Sequence, residues 1–160
     1  MTPSAHVQSP FMNVERNAAS SRSIIWTILA VLVGGTFIYA GVTKIGDPMH
    51  FARDIQNFRL VGWPIAIRTA FYLPWLEIVT GIALIAGFLR HGALAILTGL
   101  TVVFIGATIS AHARGINLDC GCFGSASKGM SFTTHMLIDF ALLAALVALW
   151  FLPARIARAR

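Results

Sequence analysis

Two cysteines separated by a single residue are the groups best suited to chemistry in this chain. They stand in the stretch Cys120-Gly-Cys122-Phe-Gly124 and are the only cysteines among 160 residues. Two thiols this close can exchange electrons as a disulfide, or can bind a soft metal together. A disulfide closing so small a ring is strained and easier to reduce than a structural bridge. We therefore favour a redox pair, with structurally inert cysteines as a further alternative.

A metal site is the less favoured interpretation of the same cysteines. His112 and His135 flank the cysteine loop, so two imidazoles and the sulfurs of Cys120 and Cys122 could form a copper or zinc site. Zinc sites usually separate their paired cysteines by two to four residues, which counts against this set. No metal is therefore favoured.

Ionisable side chains also fall within or beside long apolar stretches, at Lys44, Glu77, His135 and Asp139, and all four are expected in the half of the helix bundle nearest the cysteines. Such groups are costly in lipid and usually face the interior of a helix bundle. His135 and Asp139 are four residues apart and so share one helix face, and either Lys44 or Arg114 is expected to neutralise Glu77. One interpretation is a buried ion-pair network that determines helix packing. The other is a proton relay, or a polar pocket for a lipid headgroup or a quinone ring near His135 and Asp139.

The composition shows which elements must position these groups. The chain is 57% hydrophobic and 11% charged, with mean hydropathy +0.77, whereas soluble domains have about 25% charged residues. A helix crosses a bilayer with about 20 apolar residues, and four such windows occur, at about 24–43, 70–89, 92–112 and 132–152. Since backbone in lipid must satisfy its own hydrogen bonds, we predict an all-α integral membrane protein with four transmembrane helices.

The flanking segments complete the predicted organisation. Residues 1–22 are expected to form a disordered polar tail, residues 23–152 the membrane domain, and residues 153–160 a basic C-terminal tail. The net charge is +6, but its basic residues cluster at helix ends, where they meet anionic lipid headgroups. A nucleic-acid partner is therefore not expected, and the lipid bilayer is.

A short amphipathic helix is predicted at 48–60, between the first and second spans. Asp47 is a good N-cap and Pro48 suits the first helical position. Its apolar face carries three residues: Phe51, Ile55 and Phe58. This interfacial helix is expected to lie on the membrane surface or to pack on the bundle.

Glycines recur every seven residues along the third span, at positions 92, 99 and 106. In lipid, small residues allow two helix backbones to approach closely. We therefore predict that this row of glycines forms a close helix contact.

The orientation in the membrane rests on a weak charge pattern. Basic residues are equally numerous on the two sides, but Arg22 and the arginines of the C-terminal tail directly flank the spans. Because positive charge favours the cytoplasmic side, we expect both termini to be cytoplasmic. The cysteine loop, residues 114–130, would then lie in a compartment that permits disulfides.

Several motifs together resemble the MauE/DoxX-like family of bacterial redox-associated membrane proteins. They are Phe37-Ile-Tyr39-Ala-Gly41-Val-Thr-Lys44, Asp47-Pro48, Phe51-Ala52, Leu73-Pro74-Trp75-Leu76-Glu77, Arg114-Gly115 and Cys120-Gly-Cys-Phe-Gly124. The resemblance implies a four-helix DoxX-like bundle in the bacterial inner membrane. It also implies a redox-associated role, as in methylamine metabolism, where MauE is associated with maturation of methylamine dehydrogenase. The functional residues it indicates are Lys44, Glu77, Cys120 and Cys122.

These observations lead to three functional hypotheses. The first is thiol–disulfide electron transfer, or maturation of a periplasmic thioredoxin-like or client protein, by Cys120 and Cys122, with a quinone as the candidate cofactor. The chain would then be a thiol–disulfide oxidoreductase. The second is a non-catalytic membrane subunit or anchor of a redox complex. The third is copper or zinc handling at cysteine and histidine.

Overall fold

Five helices make up the described part of the chain. The computed structural model describes residues 10–116 and 132–152, with side chains from residue 24 onward. The helices are α1 (Pro10–Ile45), α2 (Pro48–Asn57), α3 (Trp63–Ala86), α4 (Arg90–Ala113) and α5 (Phe132–Phe151). Four stretches are long and apolar enough to cross a membrane: Ile24–Ile45, Trp63–Ala86, Arg90–Ala113 and Phe132–Phe151. The prediction of an all-α membrane protein with four spanning helices is confirmed.

Two helices begin earlier in the sequence than predicted. The backbone of α1 is helical from Pro10, inside the segment predicted to be a disordered tail, and proline suits a first helical position because its missing N–H is not needed there. Helix α3 begins at Trp63 rather than near residue 70, with Gly62 as N-cap and a proline in its first turn. Pro74 therefore lies in the middle of α3 rather than in its first turns.

The four long helices form a ring in which each packs on its neighbours in the order α1, α3, α4, α5. Helices α1 and α3 cross most closely. A Cβ atom built on Gly34 would lie 2.7 Å from the Gly81 carbonyl oxygen, and one built on Gly81 would lie 2.7 Å from the Gly34 carbonyl oxygen. Gly41 approaches the Pro74 carbonyl oxygen in the same way, at 2.7 Å. Only glycine permits backbones to approach this closely.

The glycine row of α4 does not make the predicted contact within the described bundle. Apart from the local backbone of α4, no atom of the described residues lies within 4 Å of a Cβ built on Gly92, Gly99 or Gly106, and all three residues are exposed. A seven-residue spacing indicates that residues share a helix face but not which face turns inward. The tight crossing is instead made by α1 and α3.

The interior divides into an apolar half and a polar half. The apolar core lies at the end of the bundle opposite α2. Its fully buried members include Leu84, Leu94, Leu97, Leu146 and Leu149. The polar half carries the buried polar side chains Lys44, Glu77, Thr101, Thr108, His135 and Asp139. It lies toward the end of the bundle at which α1 ends, α4 ends and α5 begins. The predicted clustering of polar groups in the half nearest the cysteine loop is therefore found.

Candidate functional site

A buried ion pair between α1 and α3 is the centre of the candidate site. The Lys44 ammonium donates hydrogen bonds to both Glu77 carboxylate oxygens, Oε1 at 2.6 Å and Oε2 at 2.9 Å. Each side chain is only 1% exposed. Of the two cations predicted as partners of Glu77, Lys44 is therefore the one that contacts it. Such a pair is stable in an apolar interior only because both charges are matched and hydrogen-bonded.

The pair is deep although Lys44 belongs to the last turn of α1. Glu77 lies about 21 Å along α3 from Trp63, at 1.5 Å per residue. The first part of α3 therefore extends beyond the end of α1, and α2 packs against it there. Phe51 and Ala52 of α2 are buried against Ala70 of α3. Helix α2 therefore packs on the bundle, and its position on the membrane surface stays a prediction.

Two aromatic rings complete the surroundings of the Lys44 ammonium. The ring centroids of Phe51 on α2 and Phe104 on α4 each lie 5.1 Å from Lys44 Nζ. A cation at this distance from a ring face is attracted by the negative π surface, more strongly when it is removed from water. Lys44 is thus held by a carboxylate and two rings, supplied by three different helices.

A second buried pair lies on α5. His135 Nδ1 and Asp139 Oδ2 are 3.1 Å apart, and their side chains are 4% and 7% exposed. The prediction that these two residues share a helix face and lie together is confirmed. His135 is one turn closer to Phe132, the first residue of α5, than Asp139 is.

A small cavity lies between the Lys44–Glu77 pair and Asp139. Its volume is about 30 Å³, and its lining includes Lys44, Glu77, Thr101 and Asp139, together with Thr36, Phe37, Ala40, Phe104 and Leu142. Ligand pockets for molecules of drug size measure about 300–1,000 Å³, so this cavity has the size for water and not for an aromatic ring. The quinone pocket suggested near His135 and Asp139 stays a prediction.

Two lining residues were missed by the sequence reasoning, Thr101 and Phe104. Thr101 is buried with its hydroxyl donating to the Leu97 carbonyl oxygen at 2.9 Å, and it lines the cavity. The available signal was the recurrence of threonine at 101 and 108, seven residues apart on α4, which indicates one polar stripe on an otherwise apolar helix.

Arg114 joins α2 to the end of α4. Its terminal guanidinium nitrogens donate to the carbonyl oxygens of Phe58, at 2.7 Å, and Arg59, at 3.3 Å, and its Nε donates to the Ser110 carbonyl oxygen at 2.9 Å. Arg59 has φ 51°, a conformation that residues with a side chain rarely adopt. Arg114 thus binds carbonyl groups left unpaired at the end of α2, and it stands at the base of the cysteine loop.

The cysteine loop itself lies outside the described residues, and so do Cys120 and Cys122. The helix ends on either side of the loop are described: α4 ends at Ala113 and α5 begins at Phe132. The rings of His112 and Phe132 stack at these helix ends, with centroids 3.8 Å apart and planes 10° from parallel. The loop therefore leaves from and returns to two helix ends that are in contact.

The residues of the metal alternative are partly described. His112 stacks on Phe132, whereas His135 is buried beside Asp139. Over 10–116 and 132–152, no group of three or more His, Cys, Asp or Glu side chains is placed to hold a metal ion. The four-ligand set with both cysteines extends into the undescribed loop and stays a prediction.

Comparison with known families decides the relationship of this chain. The model of the family described as methylamine utilisation protein MauE matches residues 22–153. The chain belongs to the MauE family. The match includes all four spanning helices, α2, both ion pairs and the cysteine loop. No curated protein and no solved structure matches the chain. Membership of the MauE family associates this membrane protein with methylamine utilisation.

Proposed function

We propose that this chain is a membrane thiol–disulfide protein that acts on a periplasmic thioredoxin-like or client protein through Cys120 and Cys122. The observation that carries the proposal is the MauE family match over residues 22–153, within which the chain has no cysteines other than this closely spaced pair. By analogy with the family description, the client would be a protein of methylamine utilisation that needs its disulfides formed or corrected.

The proposed chemistry takes place in two exchanges. The thiolate of one cysteine attacks a disulfide of the partner, forming a mixed disulfide and releasing one partner thiolate. The thiolate of the second cysteine then attacks the mixed disulfide, which closes the Cys120–Cys122 bond and releases the reduced partner. The same steps in reverse oxidise the partner. The proposal is supported by the stacked helix ends His112 and Phe132, which provide a defined base for the reactive loop.

The proposed location is the bacterial inner membrane, with both termini cytoplasmic and the cysteine loop periplasmic. It is supported by the arginines that flank the spans at the N- and C-terminal ends. A membrane-impermeant thiol reagent applied to intact cells should label the cysteines only after reduction. Labelling that appears only after lysis would place the loop in the cytoplasm and contradict the proposed orientation.

Trapping of the mixed disulfide tests the mechanism. Replacing the second, resolving cysteine by serine leaves the mixed disulfide without an internal attacker, so either Cys120→Ser or Cys122→Ser is expected to accumulate a partner adduct that reductant releases. The matched control is the double variant, which should capture nothing. If neither single variant captures a partner and both retain activity, the non-catalytic subunit becomes the favoured function. Stoichiometric metal in the purified protein, lost on replacing Cys120 or His135, would favour the metal hypothesis.

A further inference from the structure

The cavity between the Lys44–Glu77 pair and Asp139 has the size of a water site. A water molecule needs about 10–15 Å³ of such volume and two to four polar partners. The cavity measures about 30 Å³ and is lined by the buried side chains of Lys44, Glu77, Thr101 and Asp139. It therefore has room for one or two waters, and its lining combines apolar side chains with residues that carry an ammonium, two carboxylates and a hydroxyl.

Counted over the described residues, the charges around the cavity do not balance without an additional proton. The buried cluster, defined as Lys44, Glu77, His135 and Asp139, contains two carboxyl groups and one ammonium group. With both carboxylates ionised and the imidazole neutral, its sum would be −1. A net charge buried in an apolar interior is strongly unfavourable, so such a group takes up a proton instead. One proton on His135 or Asp139 makes the cluster neutral.

We propose that the cavity binds one or two water molecules and that these join the two pairs into a single site holding one exchangeable proton. The water would bridge Asp139 to the Lys44–Glu77 pair, which lines the same cavity. His135 extends the site by one helical turn toward the first residue of α5. Phe51 of α2 lies over the Lys44 ammonium at this site. This inference does not depend on the chemistry of the cysteines.

The water can be detected at the lysine itself. The chain has two lysines, Lys44 and Lys128, so ¹⁵N-lysine labelling of the full chain in lipid bilayers gives two ammonium signals, and Lys128→Arg assigns them. Solid-state NMR should show magnetisation passing from water to Lys44 Nζ. Absence of this transfer in the wild-type protein would overturn the water site.

Filling the cavity provides the matched comparison. Ala40 lines the cavity, so Ala40→Val places two more methyl groups there and should abolish the transfer to Lys44. Gly99→Ala adds a methyl group where no atom lies within 4 Å, and it should leave the transfer unchanged. If Ala40→Val folds poorly, Thr101→Val keeps the side-chain shape, removes one partner of the water and should weaken the transfer. Undiminished transfer in a folded cavity variant would contradict the assignment.

The proton can be located by labelling histidine nitrogens and aspartate carboxyl carbons. At neutral pH, the spectra should show either an imidazolium at His135 or a carboxylic acid at Asp139. A neutral imidazole beside an ionised Asp139 would overturn the proposal. The control is the His50–Asp54 pair of α2, which has the same spacing and the same 3.1 Å separation but side chains that are 45% and 15% exposed. Asp54→Asn should leave the His135 and Asp139 signals unchanged.

The decisive variant is Glu77→Gln, because it acts on the second pair from across the cavity. It removes one negative charge, so the cluster becomes neutral with His135 neutral and Asp139 ionised, and the extra proton should be lost. A purely structural role for the Lys44–Glu77 pair predicts no change at His135 or Asp139, and that result would show the two pairs to be independent. The same change at His135 and Asp139 is expected when Glu77→Gln is made in the Cys120→Ser/Cys122→Ser protein. Failure of this proton site is therefore distinguishable from failure of the thiol mechanism.

Discussion

Replacing Gly81 by alanine is expected to destabilise the bundle by forcing α1 and α3 apart. The new Cβ atom would lie 2.7 Å from the Gly34 carbonyl oxygen, which belongs to the backbone and cannot rotate away. Ordinary contacts begin at 3.4 Å, so the helices must separate locally by about 0.7 Å. A gap of about 0.5–1 Å forfeits roughly a quarter to a half of the dispersion attraction between facing atoms.

The magnitude follows from two opposing effects. Overpacking at a close contact costs about 1–3 kcal/mol, whereas alanine is favoured over glycine in a helix by about 0.8–1.0 kcal/mol. Gly99→Ala is the matched control, because it has the same helix propensity change and no atom within 4 Å of the new Cβ. Propensity cancels in the comparison, so Gly81→Ala should be less stable than Gly99→Ala by about 1–3 kcal/mol.

The assay is reversible unfolding of both variants in detergent, followed by circular dichroism, with the free energies of unfolding compared. Separation of α1 and α3 should also disturb the Lys44–Glu77 pair, since one partner is on each helix. If the two variants differ by less than about 0.5 kcal/mol, the usual range for surface substitutions, the close α1–α3 crossing is refuted.

Three further outcomes are expected. Lys44→Met and Glu77→Gln should each cost about 3–5 kcal/mol of unfolding free energy, while the double variant recovers most of that loss, because breaking a buried pair leaves one charge unmatched; additive losses in a double-mutant cycle would argue against the pair. Arg114→Gln should accelerate amide hydrogen exchange in α2. The control is Arg90→Gln: the Arg90 guanidinium binds carbonyl groups at the end of α5, so its loss should accelerate exchange only in that part of α5. Equal exchange rates in α2 for both variants would contradict the role of Arg114. Phe51→Leu keeps an apolar side chain over Lys44 but removes the π face, so chemical unfolding should show a loss of about 1–2 kcal/mol, and a wild-type value would mean that the ring contributes only its bulk.

The site was predictable from the sequence where chemistry alone decides the outcome. Four ionisable side chains stand in apolar stretches of the sequence: Lys44, Glu77, His135 and Asp139. Because an ionisable group is costly in lipid, such groups face the bundle interior and pair with one another. The pairing of His135 with Asp139 follows from their four-residue spacing on one helix. The choice of Lys44 over Arg114 as partner of Glu77 did not follow from spacing, since it depends on how far α3 extends beyond α1.

Contacts between helices were less predictable. The seven-residue glycine row of α4 was expected to make a close contact, but the crossing uses Gly34, Gly41 and Gly81 instead. Periodicity identifies residues on the same face without saying what lies opposite that face. The start of α3 was predicted too late, near residue 70, because the prediction followed the apolar window. Gly62 and the proline after Trp63 form the signal at which α3 begins.

The sequence by itself determined the class of the molecule, because apolar length and backbone hydrogen bonding in lipid leave helices as the only solution for these four stretches. It also determined that several ionisable groups must be buried in the half of the bundle nearest the cysteines. Only the tertiary structure decided how those groups combine, with Lys44 between Glu77 and the rings of Phe51 and Phe104. Such an arrangement depends on the relative depth and rotation of separate helices, and those follow from close packing along the whole length of each pair.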